Sequence, residues 1–388
     1  MENKKPRVVF TYVEAGMGHI IPMTGMANAF KRKYAEKCEI VESYIFSESK
    51  HEAVRAMGKE LSDHTKRTMS NWFYNKFEAL SYAVPSSLTL KILDAHFGKA
   101  KDLFYEDLVD LSPDLLVASY YLPAHLTNKA NKKGLINSLI ATYTPDPYIY
   151  PAWDRRCDNY IVNNDEAERL ALKKGFKKGQ VKKVPFIFKK DITDMKLDKV
   201  QASESVGIDG TLPTVLFTSG AYGAKDTAEL IKEILKANLK INLVIICGKS
   251  ESMLAEMREL EKGKGENTNM YIVGFTDKMA NYMCASDLVI GKSGMNTVLE
   301  AVYLDRAVII NAAANRLEEN IGKFLVKEGI AVKARKPKKI VEIIKSCLSS
   351  PDGFKKLTKN REKYQDATGD ERAADVLFEL LKTRFPEL

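Results

Sequence analysis

Short apolar runs alternate along this chain with longer stretches in which apolar residues recur at helical spacing. Val8-Val9-Phe10-Thr11-Tyr12, Leu115-Leu116-Val117-Ala118, Ser138-Leu139-Ile140-Ala141-Thr142-Tyr143 and Asn159-Tyr160-Ile161-Val162 form a first series. Thr214-Val215-Leu216-Phe217-Thr218, Leu243-Val244-Ile245-Ile246, Leu288-Val289-Ile290-Gly291 and Val308-Ile309-Ile310 form a second. Runs of this length and β-branched content predict buried strands. Strands alternating with helices predict a parallel sheet covered on both faces. Two series predict two α/β units of the Rossmann type, as expected of 388 residues. The expected boundaries are 1–188 for the first domain, 189–211 for a polar linker and 212–369 for the second domain. A last helix, 370–388, is expected to pack back on the first domain.

Composition narrows the class. The hydrophobic fraction of 45% and charged fraction of 29% are those of a globular protein. No run approaches the roughly 20 apolar residues that cross a bilayer, and Val8-Val9-Phe10 is too short for the core of a signal peptide. Cys38, Cys157, Cys247, Cys284 and Cys347 are odd in number and lack ligand spacing, which favours a reducing cytoplasm over disulfides or structural zinc. The net charge of +9 suits an anionic partner, but much of it lies in dispersed solvated runs such as Lys173-Lys174 and Lys338-Lys339. No nucleic-acid motif accompanies it, so nucleic acid is not an expected partner.

Several turns carry chemistry. After the strand at 288–291, Ser293-Gly294 reads as a turn opening a helix over Met295-Asn296-Thr297. Free backbone N–H groups and the helix dipole suit a diphosphate there. Glu300, two turns on, is positioned to accept hydrogen bonds from a ribose diol. Gly16-Met17-Gly18-His19 follows the first strand without the third glycine of a dinucleotide fingerprint. His19 there suits a general base that takes a proton from a hydroxyl, or else a histidine that merely caps the turn. Asp146, in Thr144-Pro145-Asp146-Pro147, is either a carboxylate that orients His19, a base itself, or a turn residue. His125 and the Tyr120-Tyr121 pair are lesser candidates near an acceptor. Cys247 reads as a buried strand residue rather than a nucleophile. The segment 55–104 interleaves Lys66, Arg67, Trp72, Phe73 and Lys76. That mixture suits either a helix lying on a lipid surface or a helix pair with buried aromatics. No Asp-x-Asp arrangement suited to holding Mg²⁺ against a diphosphate is present, so no metal or cofactor is expected. Neutralisation then falls to helix N-termini and basic side chains.

The series Gly274-Phe275, Asp287, Lys292-Ser293-Gly294 and Glu300 resembles the donor-binding half of a family of inverting, UDP-sugar-dependent glycosyltransferases. That family includes monogalactosyldiacylglycerol synthases, processive diacylglycerol glucosyltransferases and the N-acetylglucosaminyltransferase of lipid II synthesis. The resemblance implies the glycosyltransferase B fold, an α/β fold with two Rossmann-like domains facing across a cleft. It implies His19, with Asp146, as catalytic residues, and Gly18, Ser219, Gly220, Thr276, Met279, Ser293, Gly294, Met295, Asn296, Thr297, Glu300, Glu319 and Asn320 as donor-binding residues. It implies a UDP-sugar co-substrate and no cofactor, a lipid acceptor such as diacylglycerol, and docking of Lys66, Arg67, Trp72, Phe73 and Lys76 on anionic membrane. The enzyme would then be peripheral to the cytoplasmic face of the membrane. One departure stands out: Arg316-Leu317 replace the family's Gln-Glu or Gln-Gln pair, which contacts the donor sugar. A UDP-sugar 2-epimerase, sharing the fold, or a degenerate nucleotide-sugar-binding protein are the alternatives.

Overall fold

A computed structural model describes residues 5–14, 16–70, 86–218 and 227–388, with the backbone alone for 64–70. The chain forms two compact units. The first contains β1 (Arg7–Thr11), α1 (Met17–Tyr34), β2 (Glu39–Ser43), α2 (Glu52–Ser70), α3 (Ser86–Leu111), β3 (Leu115–Ala118), α4 (Tyr121–Lys132), β4 (Leu139–Tyr143), β5 (Asn159–Val162), α5 (Asp165–Lys173) and β6 (Val181–Lys183). The second contains α6 (Lys190–Thr193), α7 (Lys199–Ser205), β7 (Thr214–Thr218), α8 (Thr227–Lys236), β8 (Ile241–Ile246), α9 (Glu251–Glu261), β9 (Thr268–Val273), α10 (Met279–Cys284), β10 (Leu288–Lys292), α11 (Met295–Tyr303), β11 (Ala307–Ala312), α12 (Arg316–Lys327), β12 (Val332–Lys333) and α13 (Pro337–Leu348). The chain then returns to the first unit with α14 (Gly369–Lys382).

Each unit holds one parallel six-stranded sheet. The first runs β2-β1-β3-β4-β5-β6 and the second β12-β11-β10-β7-β8-β9. The continuous apolar runs are explained by burial on both sheet faces. Along β3, Leu115 and Val117 enter one core with Val8, Phe10 and Ile161, while Leu116 and Ala118 enter the other with Ile140, Tyr160 and Val162. Both orders reverse direction once, between β1 and β3 and between β7 and β10. Ligands of open α/β sheets bind outside the carboxyl ends of strands at such switch points.

α14 lies against α1. Its Ala373, Ala374, Leu377 and Phe378 share a core with Met23, Met26 and Phe30, and Phe378 stacks on Tyr34 with ring centroids 3.9 Å apart. Gly369 opens this helix where a Cβ would fall 2.4 Å from the Pro185 carbonyl oxygen, so no larger residue fits that approach.

The boundaries differ from those expected. Residues 190–365 form the second unit, so the stretch 189–211 is not a free linker. It contains α6 and α7, and α7 is started by a reciprocal capping box of Asp198 and Gln201. Lys199 reaches Asp287 at 2.6 Å within the same unit. Helices of four and seven residues are too short to display a readable period, so the sequence registers there as polar and irregular. No helix among the described residues is long and apolar enough to cross a membrane.

Candidate functional site

At the β1/β3 switch point, Gly16 precedes α1 with φ +118°, a conformation costly for residues with a side chain. Gly18 lies in the first turn of α1, where a Cβ would meet nothing within 4 Å. His19 follows, half-buried, with its Nδ1 2.6 Å from the carbonyl oxygen of Ser119, the residue after β3. A carbonyl only accepts, so Nδ1 carries the proton and Nε2 is the basic nitrogen of the neutral ring. The Ser119 hydroxyl donates back to the His19 carbonyl at 2.9 Å, and Tyr120 meets the ring edge-on at 5.2 Å. Burial holds the imidazole below its ordinary value, which favours this neutral form.

Asp146 is half-buried in the loop after β4 and sits near the buried Tyr143 and Tyr160 phenols, whose pKa values it helps to raise. The group that fixes the His19 tautomer is the Ser119 carbonyl, a backbone atom for which the sequence gives no signal. His125 is not open to an acceptor. It is 2% exposed, with Nδ1 3.0 Å from Asp154 and Nε2 3.0 Å from Asp94. Arg156 grips Asp154 through its Nε at 2.8 Å and a second nitrogen, and Lys129 pairs with Asp94. Burial alone would raise the Asp154 pKa; the His125 and Arg156 hydrogen bonds outweigh it and hold the carboxyl well below the usual range. This network fastens the loop carrying Trp153 and Asp154 to α3 and α4.

In the second unit, β10 ends at Lys292 and α11 begins after Gly294. No side chain caps α11, so the N–H groups of Met295, Asn296 and Thr297 are the orphan donors of a helix start. Gly294 faces open space, where a Cβ would meet nothing within 4 Å. Lys292, half-buried at the strand end, has no hydrogen-bond or ion-pair partner among the described residues. It belongs to the Lys292-Ser293-Gly294 series read from the sequence, where it was given no role of its own. Met295 is buried, so only its backbone faces the turn, and Asn296 and Thr297 are half-buried. Glu300 is 7% exposed on the same helix. Gly291 lies where a Cβ would come within 2.9 Å of the Thr218 carbonyl oxygen, which keeps β10 tight against β7 at the switch point.

Two residues expected at the donor site are engaged by partners within the second unit. Ser293 is fully buried: its N–H bonds the Ala312 carbonyl and its hydroxyl donates to the Glu318 carbonyl at 2.7 Å, so neither is free for a diphosphate. Glu319 is claimed by Lys333 and Arg335, with the Lys333 hydrogen bond foremost in lowering its pKa. The Glu318 carboxylate accepts from the Ala314 N–H through one oxygen. α12 starts at Arg316 with the Asn315 side chain accepting from Glu318 N–H at 2.8 Å. The departure at Arg316-Leu317 therefore coincides with a well-capped helix start. Asn320 is half-buried one turn further along α12.

Thr276 turns its hydroxyl to the Lys278 N–H at 3.0 Å, and Met279 opens α10, half-buried. Phe275 beside them is 71% exposed, with the Lys249 ammonium 5.1 Å from its ring centre. An aromatic face held open at a strand end was a missed candidate for base stacking. Cys247 is fully buried and burial pushes its thiol up to about 11, which removes it as a nucleophile. Ser219, Gly220, Trp72, Phe73 and Lys76 lie outside the described residues, as do the side chains of Lys66 and Arg67. Phe97 and Phe104 are buried in the core of the first unit. Leu88 and Ile92, one turn apart on α3, are 49% and 56% exposed.

The chain is similar to known proteins in sequence and in fold. Residues 214–373 match the glycosyltransferase family 28 C-terminal domain. The processive diacylglycerol beta-glucosyltransferase of Staphylococcus saprophyticus is 23% identical over 93% of this chain and 89% of its own. A probable chloroplastic monogalactosyldiacylglycerol synthase of Nicotiana tabacum is 21% identical over 89% of this chain and 65% of its own. Among solved structures, Acinetobacter baumannii MurG superposes with a TM-score of 0.63 at 14% identity, covering 97% of this chain and 99% of that one. The UDP-GlcNAc 2-epimerase of Neisseria meningitidis gives 0.58 at 13% identity, covering 98% and 100%. These last two likenesses are of fold, the glycosyltransferase B fold. The chain is a glycosyltransferase, and its residues 214–373 are similar to the family 28 C-terminal domain.

Proposed function

We propose that the enzyme transfers a hexosyl unit from a UDP-sugar to the hydroxyl of a lipid such as diacylglycerol, with inversion. The observation that carries the donor assignment is the uncapped start of α11, with the unpaired Lys292 directly before it. Three convergent N–H groups and one ammonium offer charge stabilisation where a diphosphate leaving group gains charge. Glu300 would hold the ribose and Phe275 would offer a face to the base. The relatives named for diacylglycerol transfer support the acceptor class.

In this reading the acceptor oxygen bonds to the anomeric carbon as that carbon's bond to the UDP oxygen breaks. The acceptor proton passes to His19 Nε2, and UDP departs with the bonding electrons. One displacement of this kind inverts the anomeric centre. Asp146 remains a proposed partner in handling that proton.

We also propose that the first unit docks on anionic membrane from the cytoplasmic side. The exposed Leu88 and Ile92 with the exposed Lys91 between them add to the basic and aromatic residues at 66–76. Incubation with a panel of labelled UDP-sugars and vesicles containing diacylglycerol tests the whole reading. Lipid-extractable label that requires a UDP-sugar is expected. UDP binding without transfer to any lipid would instead indicate a nucleotide-sugar-binding protein.

A further inference from the structure

The opening turn of α1 is held weakly by its own chain. Gly16 and Gly18 flank Met17, and a Cβ at either glycine would meet nothing within 4 Å among the described residues. Met17 itself is 59% exposed. No side chain caps the helix, and Pro22 inside it has no N–H to bond the Gly18 carbonyl four residues back. The local backbone bond of His19 runs from its N–H to the Gly16 carbonyl at 3.2 Å. A ring carried on such a turn keeps one direction only if something outside the helix fixes it.

That outside anchor is Ser119. β3 is paired with β1 on one side and β4 on the other up to Ala118, so the next residue stands on a rigid base. The Thr11 hydroxyl adds a cross-strand bond to the Val117 carbonyl at 2.9 Å. Ser119 is 1% exposed and meets His19 at two points. Its carbonyl accepts from the ring Nδ1 at 2.6 Å, and its hydroxyl donates to the His19 main-chain carbonyl at 2.9 Å. One bond sets the ring, and the other sets the backbone that carries the ring. The carbonyl goes on accepting from Nδ1 after Nε2 has taken a proton, so the anchor serves both states of the imidazole. A general base must stay within hydrogen-bond reach of the hydroxyl that it deprotonates, and a small misplacement lowers rate rather than binding.

We propose that the Ser119 hydroxyl is a positioning group for the transfer, anchoring the opening turn of α1 so that His19 Nε2 stays aimed at the acceptor hydroxyl. This inference rests on His19 being the base, and its test separates the two.

Ser119→Ala removes the hydroxyl and keeps the carbonyl; Ser119→Thr keeps both. The first arm is NMR of the full chain labelled with ¹⁵N in its five histidines, with His19→Ala identifying the His19 signals. The unaltered chain is expected to show a proton fixed on Nδ1 and a bare Nε2 above neutral pH. In Ser119→Ala the two nitrogens are expected to move toward a common, exchange-averaged shift, and Ser119→Thr is expected to keep them apart. The second arm measures transfer of label from a panel of UDP-sugars to diacylglycerol vesicles. Ser119→Ala is expected to lower kcat about tenfold, the scale of one hydrogen bond, with KM for the UDP-sugar unchanged and with recovery in Ser119→Thr.

A fixed tautomer and unchanged kcat in Ser119→Ala overturn the positioning role, while an inactive His19→Ala beside them leaves the base intact. An averaged tautomer with unchanged kcat overturns the base reading and the proposal together. A fall in kcat with the tautomer still fixed shows a packing effect and overturns the proposal. Transfer to no lipid overturns the lipid reading, and the tautomer measurement then decides the anchor by itself.

Discussion

Two corners of the molecule begin alike and are equipped differently. In the first unit β1 leads through Gly16 into α1, and in the second β10 leads through Gly294 into α11, each helix starting without a side-chain cap. Both stand at the switch point of a parallel sheet. The first corner places an imidazole in the opening turn and fixes its tautomer through the Ser119 carbonyl. The second has no titratable group in its opening turn and a lysine on the strand before it. One corner is suited to moving a proton and the other to holding an anion. The α12 start, on the next strand, is a third case: the Asn315 side chain caps it by accepting from the Glu318 N–H. A helix N-terminus becomes an anion site only when its own sequence leaves the N–H groups unclaimed.

The largest expected effect tests the first corner. His19→Ala should lower turnover by roughly 10²–10⁴-fold in a labelled-transfer assay, the range of a lost general base. The unaltered enzyme should lose kcat/KM on acidification, because a base works only when neutral. Burial lowers the imidazole pKa, so the midpoint of that loss should fall below about 6.5, the ordinary histidine value. A midpoint above it would mean that His19 is not the titrating base.

At the second corner, Glu300→Ala should weaken UDP binding by about 1.5–3 kcal/mol in calorimetry, the range for hydrogen bonds to a charged group. Lys292→Ala should cost less, about 1 kcal/mol, because the ammonium is part-exposed and screened. That loss should shrink further as salt is raised. Asn315→Ala is the contrasting case. It should lower stability by about 1 kcal/mol through the lost cap, seen as a reduced Tm, while UDP affinity stays the same. A matching loss of affinity there would erase the distinction between the α11 and α12 starts.

Much of this was legible in the sequence. The continuous apolar runs identified the four inner strands of each sheet because those strands are buried on both faces, while the edge strands β2, β6, β9 and β12 were not found. The small-residue turns were found because strand, glycine and helix lie within a few residues of one another. What was hidden depends on partners far apart in the chain. The Asp94–His125–Asp154 network joins residues about 30 positions apart, and Ser119 meets His19 across 100 positions. Ser293 looked like a phosphate ligand from its neighbours, but its hydroxyl is spent on the Glu318 carbonyl. Glu319 looked available until β12 and the residues just after it brought Lys333 and Arg335 to it. Local pattern reports which groups a turn offers, and tertiary pairing decides which remain free.

The division between the two corners is tested most directly by titrating UDP into the unaltered chain, His19→Ala and Glu300→Ala in one calorimetric series. The account predicts saturable one-site binding that His19→Ala leaves unchanged and Glu300→Ala weakens. No binding to the unaltered chain, or an equal loss in both variants, would contradict it.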